Sequence, residues 1–409
     1  MLATQVLGLS VERLRELNLP LGLRLWTGES VMPRERPRVT ISVRSPRVLT
    51  SLLNPTAGQL ARHYVEQELD IDGDLREAMR LCEALSSGPI LKCRRFRLGN
   101  WNWHTRSADR SAIRFHYDVS NDFFALWLDR RMVYSCAYFR DPSDALDLAQ
   151  EQKLDHICRK LRLKPGERFL DIGCGWGALV MWAARHYKVR ATGITLSQEQ
   201  CDLARKRIED AGLRGTCDVQ LVDYRDAPET QPYDKIASVG MFEHVGRKNL
   251  PAYFAKIFRL LRPGGLVLNH GITAGAVDQM ELGRGIGEFV DDYVFPGGEL
   301  VHISKVDEEV GRAGLECCDV ENLRPHYPKT LWHWVDRLVA KREAAVAAVG
   351  EKAFRVWSIY MAGSAHAFER GWISIFQMLA ARPPQDGAWP LPLTRDFMYR
   401  TGPLSAQSR

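Results

Sequence analysis

Hydrophobic and polar positions follow two rhythms along this 409-residue chain. In residues 1–95 the runs Leu21 to Trp26 and Arg38 to Val43 have strand length, and helical spacing follows over Thr56 to Glu68 and Leu75 to Leu85. The turn IDGDL lies between those helices, with Asp72-Gly73 supplying the turn chemistry and Asp74 placed as an N-cap. These elements predict a small α+β domain with no visible catalytic cluster. Beyond a linker over 96–112 the rhythm becomes strand, helix, strand. RFLDIG, ALVMWAARHY and VRATGIT come first, then a helix from Ser197 to Ala211 capped by Ser197, then the apolar runs DVQLVD, KIASVGMF and GLVLNHGIT. Such alternation predicts a doubly wound, Rossmann-like α/β sheet over 113–385, because each crossover helix returns the chain to begin another parallel strand.

Between and after these elements lie segments of other character. Arg262-Pro-Gly-Gly265 reads as a turn feeding the strand at Leu266. The glycine-rich stretch 283–300, GRGIGEFVDDYVFPGGEL, is long for a connection and is expected to form an active-site lid or entrance loop. Residues 330–380 read as helical, with Trp332, Trp334, Phe354, Trp357, Phe368, Trp372 and Phe376 as a core stripe. A loose tail is expected over 386–409. No internal repeat is visible.

Length predicts two domains, and a composition of 45% hydrophobic and 26% charged residues is that of a globular protein. The net charge of +6 matters less than its distribution. Residues 92–114, KCRRFRLGNWNWHTRSADRSAIR, set Lys92 and a cluster of arginines against the single acid Asp109, with Trp101 and Trp103 among them. Anionic lipid headgroups, nucleic acid or plain solvent each suit such a segment. The N-terminal stretch MLATQVLGLSVERLREL lacks the basic n-region and small-residue cleavage site of a signal peptide, and no stretch has the length of a membrane span. The nine cysteines form no CxxC pair and read as reduced thiols; no Cys/His cluster has zinc-ligand spacing, so no metal is expected.

The chemistry concentrates at Phe169 to Gly177, FLDIGCGWG. Asp171 closes a strand at its carboxyl end, where open α/β sheets bind ligands, and Gly173, Gly175 and Gly177 permit positive φ and close approach of backbone to a ligand. GCGWG is neither the six-residue GxGxxG of dinucleotide sites nor a P-loop, which favours S-adenosylmethionine over NAD or ATP.

Seven segments then carry a specific resemblance: 115–139 (FHYDVSNDFFALWLDRRMVYSCAYF), FLDIGCGWG, 193–200 (GITLSQEQ), 238–246 (SVGMFEHVG), 268–272 (LNHGI), 291–298 (DDYVFPGG) and 324–334 (RPHYPKTLWHW). In order and spacing across residues 60–380 they resemble the cyclopropane fatty acyl phospholipid synthase family, and YVEQELDIDGDL resembles the first domain of its phospholipid-acting members. The resemblance implies an S-adenosylmethionine-dependent C-methyltransferase that adds a methylene to the cis double bond of an unsaturated phospholipid acyl chain. It implies a bicarbonate base held by Cys136, Glu243, His270, the backbone at Ile272, and Tyr327. Tyr117 and Phe242 become candidates to face the carbocation that methyl transfer leaves. For the donor it implies Tyr134 and Ser135 at the carboxylate end, Asp171, Gly173, Cys174, Gly175 and Gly177 in the cradle, Thr195, Leu196 and Gln200 after the second strand, and Asp223, Tyr224 and Arg225 beside the adenine, with a turn cap as the other role open to Asp223.

One departure stands out. Met361, in YMAGSAHAF, occupies the position of a cysteine often found in the family; alkene methylation by a sulfonium needs no covalent enzyme intermediate, so activity is expected to survive. The expected location is the cytoplasm, peripheral on the inner face of the membrane, with a phospholipid partner, no nucleic acid, and a homodimer left open. Competing readings are a methyl- or methylene-branched product and a non-catalytic lipid-binding protein.

Overall fold

The computed structural model describes residues 19–32, 37–53, 55–86, 120–278, 285–296 and 298–399. They divide into two compact units.

The first unit is built on a four-stranded sheet of β1 (Leu21–Arg24), β2 (Ser30–Val31), β3 (Val39–Val43) and β4 (Leu69–Gly73), in the order β2-β1-β3-β4. Its helices begin where the caps predict. Thr56 Oγ1 accepts from the Gln59 amide ahead of helix Ala57–Val65, and Asp74 accepts from the amides of Arg76 and Glu77 ahead of helix Leu75–Leu85. The turn expected at IDGDL is instead edge strand β4, paired antiparallel to β3 with Ile71 opposite Ile41. Five residues of mixed polarity carry little local strand signal; the partner strand supplies the hydrogen bonds.

This unit also gathers 285–296 and 338–367, which the sequence had assigned to the catalytic domain. Phe289, Val356 and Ile359 join Leu21, Leu23, Val39 and Leu81 in one core. The stretch expected as a lid therefore holds helix Ile286–Tyr293, packed so closely on helix Ala57–Val65 that a Cβ on Gly58 would meet Gly285 O at 2.0 Å. Arg355 fastens helix Arg342–Glu369 to the unit: its buried guanidinium donates to the carbonyls of Tyr64 (3.0 Å) and Leu69 (3.2 Å) and pairs with Asp70 and Glu351. Met361 lies on the same helix and is fully buried.

The second unit holds a seven-stranded sheet: β5 (Arg168–Ile172), β6 (Arg190–Thr195), β7 (Cys217–Leu221), β8 (Tyr233–Val239), β9 (Leu261–Ala274), β10 (Glu316–Asn322) and β11 (Ile373–Ala381). The order is β10-β11-β9-β8-β5-β6-β7, with β5 to β9 parallel and β11 antiparallel to both its neighbours. β11 falls in the stretch 330–380 expected to be helical; the helix itself ends at Glu369. ISIFQMLAA is apolar enough for either state, and its pairing with β9 along nine residue pairs decides it. The expected core stripe holds for Trp332, Trp334, Phe354, Trp357 and Phe368, all buried. Within the stretch expected as a tail, Phe397 and Met398, in the short helix Asp396–Tyr399, are buried in the core cluster that also contains Ile157 and Leu161.

Candidate active site

The chain order places β6 and β8 on opposite sides of β5, so the crossover direction reverses there and a crevice opens beyond the carboxyl ends of the strands. The crevice is lined by Tyr134, Ser135, Asp171, Gly173, Cys174, Gly175, Thr195, Leu196, Gln200, Tyr224 and Arg225, all expected at the donor site. With open solvent included its free volume is about 1160 Å³.

Each expected element has a local cause. Gly173 (φ 79°), Gly175 (φ 52°) and Gly177 (φ 79°) all occupy the left-handed region, which side chains with a Cβ enter at a cost. A Cβ on Gly175 would meet nothing within 4 Å, so that position faces free space. The amides of Gly173 and Cys174, however, both donate to Ile194 O, at 2.9 and 3.0 Å. The glycines thus supply close approach and a turn pinned to β6, while these two amides are engaged within the protein. Gly177 does not line the crevice; it caps helix Ala178–Tyr187, and a Cβ there would meet Ala204 Cβ at 3.2 Å. Thr195 Oγ1 donates to Gln200 Oε1 at 2.9 Å, which orients the amide where an acid would otherwise stand. Asp223 is buried and outside the lining; it accepts from the Arg225 amide (2.9 Å) and guanidinium (2.6 Å), so it takes the turn-capping role and aims Arg225.

Tyr134 packs against an aromatic wall of Phe124 (5.7 Å between centroids), Trp127 (5.5 Å) and Trp334 (5.3 Å). Trp176 packs on Phe124 at 5.1 Å and donates Nε1 to Asn121 Oδ1 at 2.7 Å. Trp176 lines the crevice as part of the FLDIGCGWG run, whereas sequence reasoning missed Lys153 altogether. Lys153, on helix Leu146–Lys160, lines the crevice and donates Nζ to Ser135 Oγ at 2.8 Å. A signal was present: Gln150, Lys153 and Lys160 recur three to seven residues apart among Leu146, Leu154 and Ile157, polar residues at positions that a helix buries.

A second group lies at β9 and its surroundings. Glu243, in the turn Phe242–His244, accepts at Oε1 from the Ile272 amide at 2.6 Å, while Oε2 is buried without a partner. Burial outweighs the Ile272 hydrogen bond and pushes the carboxyl up to about 7. Gly271 is required between the two, since a Cβ there would strike the Phe242 ring at 2.0 Å and approach Glu243 Oε1 at 3.0 Å. His270, fully buried, faces Gln377 of β11 through Nδ1 at 3.2 Å, and its Nε2 has no partner. Burial holds the ring well below its ordinary value, hence neutral; with Gln377 Nε2 donating to Nδ1, the ring proton sits on Nε2. Cys136 is fully buried, its Sγ donating to Ala137 O at 3.3 Å, and burial raises the thiol, so it remains a neutral donor. The Ala137 amide donates to Thr330 Oγ1 at 3.1 Å, which ties this strand of chain to the helix that begins His326-Tyr327. Tyr327 packs on Phe368 at 4.7 Å and is almost completely covered. Tyr117 lies outside the described residues, as does the basic segment 92–114.

Residues 104–378 match the family described as mycolic acid cyclopropane synthetase. A probable fatty acid methyltransferase of Pseudomonas putida is 49% identical over 95% of this chain and 98% of its own length. The cyclopropane-fatty-acyl-phospholipid synthase of Escherichia coli K12 is 39% identical over 66% of this chain and 68% of its own. Among solved structures, the mycolic acid cyclopropane synthase CmaA1 complexed with SAH and CTAB superposes with a TM-score of 0.63 at 34% identity, over 66% of this chain and 98% of that one. The glycine turn at the sheet's switch point, the crevice it borders and the run of motifs in order all lie within that matched region, and the chain belongs to the cyclopropane synthase family of S-adenosylmethionine-dependent methyltransferases.

Proposed function

We propose that this protein transfers a methylene unit from S-adenosylmethionine to the cis double bond of an unsaturated phospholipid acyl chain, leaving a cyclopropane ring. The observation that carries the proposal is the pair of buried, partnerless atoms beside β9, Glu243 Oε2 and His270 Nε2. An acceptor and a donor without partners in a buried setting cost several kcal/mol unless a polar group meets both. A hydrogencarbonate ion suits them, accepting from His270 Nε2 and donating its own proton to Glu243. The family resemblance would add the Tyr327 hydroxyl and the Cys136 thiol as donors to such an oxyanion, the thiol turning its proton away from Ala137 O.

The methyl donor supplies an electrophilic sulfonium methyl, and the ion supplies a proton acceptor for the methyl once it is attached to the chain. The protein's own residues do the rest. Tyr134, Ser135 and Lys153 line the donor crevice together with Thr195, Gln200, Tyr224 and Arg225. The aromatic wall of Phe124, Trp127, Trp176 and Trp334 excludes water, which would otherwise quench a carbocation. The basic, tryptophan-containing segment 92–114 suits contact with anionic headgroups, and we infer action at the inner face of the cytoplasmic membrane. Among the described residues no helix is long and apolar enough to cross a membrane.

A branched product remains a second reading, favoured by one observation: the Pseudomonas putida relative is named a probable fatty acid methyltransferase. Mass spectrometry of lipids from an expressing host tests both. Acyl chains that gain one CH₂ with an unchanged count of rings and double bonds support a ring or a methylene branch, and fragmentation separates these; chains that gain CH₄, with one ring or double bond fewer, support a saturated methyl branch, which needs a hydride donor besides the methyl donor. Unaltered acyl chains with active donor turnover absent would overturn the catalytic proposal.

A further inference from the structure

Lys153 is 2% exposed, and an ammonium so buried loses most of its hydration. Among the described residues no carboxylate lies within ion-pair distance of it; its hydrogen-bond partner is the neutral Ser135 hydroxyl at 2.8 Å. Loss of hydration pulls the ammonium down to about 8, against the carboxylates of Asp129 and Asp171, which favour its protonated form from farther off. A lysine in this condition is poised for an anion. What anion is decided by the surroundings.

Lys153 stands on the same helix as Gln150, whose Nε2 donates to the carbonyls of Ser135 (2.9 Å) and Val133 (3.3 Å). One helical face therefore grips the Val133–Ser135 segment by its backbone through Gln150 and by its hydroxyl through Lys153. Asp129 fixes the same segment from the other side, accepting from the Val133 amide at 2.8 Å and the Arg131 amide at 2.9 Å. Asp171, across the crevice lining, is 3% exposed, and its Oδ1 has no partner. A buried cation beside a hydroxyl and a buried carboxylate oxygen without a partner, both on the lining of one crevice, form a receptor for a zwitterion.

We propose that Lys153 is a binding residue for the α-amino-acid end of the methyl donor, its ammonium with the Ser135 hydroxyl taking the donor's carboxylate while Asp171 Oδ1 takes the donor's ammonium. The proposal rests on the assignment of this crevice to S-adenosylmethionine and names the charge that anchors it. Charge balance follows: the pair of opposite charges on the protein meets the pair on the ligand, so neither Lys153 nor Asp171 stays buried without a counter-charge. The helix Leu146–Lys160 becomes part of the donor site, although it precedes the glycine turn and contributes no recognised motif.

The test compares two ligands in the full chain by calorimetry: S-adenosylhomocysteine, which carries the amino-acid end, and 5′-methylthioadenosine, which lacks it. Lys153→Met should weaken S-adenosylhomocysteine binding 10- to 100-fold and change methylthioadenosine binding less than 2-fold. Equal losses for both ligands, or none for either, would overturn the proposal, since the first marks a structural role and the second no role. Should Lys153→Met not fold, the wild type alone decides: S-adenosylhomocysteine affinity should fall as pH rises through about 8 while methylthioadenosine affinity stays flat, and parallel profiles would overturn it. Failure of the wild type to bind either ligand would instead remove the donor crevice assignment itself.

Discussion

The carboxylate of Glu243 accepts the Ile272 amide hydrogen at 2.6 Å, and this single bond leaves its second oxygen buried with no partner. The turn that carries Glu243 follows β8 and the amide belongs to β9, so the pairing of two neighbouring parallel strands sets the position of the acid.

If Glu243 orients a proton acceptor, Glu243→Gln should lower turnover on the order of 100-fold or more while S-adenosylhomocysteine affinity stays within about 2-fold, because the lost group acts in the chemical step. In the wild type kcat/KM should rise with pH through about 7, as Glu243 ionises, and the variant should lack that rise. Added bicarbonate should restore rate to wild-type enzyme in depleted buffer. Steady-state kinetics with a controlled gas phase measures all three, and an undiminished Glu243→Gln rate would place the base elsewhere.

Glu243 and Asp171 should each withdraw stability as pH rises from about 4 to about 7, while His270, held neutral by burial, works in the opposite sense. Burial raises both Glu243 and Asp171 to about 7 in the folded protein, from ordinary values of 4.5 and 3.8. At these two carboxyls the native state binds more protons in that window than the unfolded chain does, so through them each step up in pH favours unfolding. Glu243→Gln should make the decline shallower. Thermal melts across the window in the absence of ligand check this, and a slope unchanged by the substitution would contradict the raised value.

Gly175→Ala should weaken S-adenosylhomocysteine binding at least 10-fold with only a small loss of stability. The new Cβ would meet no protein atom within 4 Å, and the backbone at φ 52° adds about 1–2 kcal/mol of left-handed strain. Calorimetry beside a melting curve separates the effects; unchanged affinity would show that the ligand does not approach Gly175.

Glu321→Gln should destabilise the protein by about 3 kcal/mol at pH 7, because it removes the nearer carboxylate from a buried cation and leaves it Asp319 at 3.6 Å. Lys160 is fully buried with Nζ 2.6 Å from Glu321 Oε2, and His156 Nε2 stands 2.7 Å from the same oxygen. Burial opposes ionisation of Glu321, yet the His156 hydrogen bond and the Lys160 charge prevail and hold it down to about 2. Its contribution is present above the ordinary carboxylate range and fades as pH falls toward about 2, so the gap between wild type and variant should narrow in acid. Denaturant melts at several pH values measure the gap.

Local pattern was sufficient wherever one short window contained the whole cause. Asp74 and Ser197 cap helices because their side chains reach amides two or three residues on. The apolar runs RFLDIG and KIASVGMF became β5 and β8 because strands buried on both faces need only be apolar. The glycine turn and the Thr195–Gln200 pair were legible because both partners lie within a few residues. Order and spacing of these windows was enough to identify the family.

What the windows could not contain was decided by distant partners. β4 exists because β3 pairs with it, and β11 because β9 does, some hundred residues away in the chain. Residues 285–296 and 338–367 join the N-terminal unit because Phe289, Val356 and Ile359 complete an apolar core begun at Leu21. The same holds at the site: a lysine on a helix is a solvated charge or a buried anchor according to what faces it, and Ser135 lies outside the helix of Lys153. Periodicity along the chain determined the parallel strands, the capped helices and where a ligand crevice opens; tertiary pairing decided β4 and β11, and only packing, by removing water from Lys153, Asp171, Glu243 and His270, decided which polar groups carry unmet demand and so where chemistry is poised.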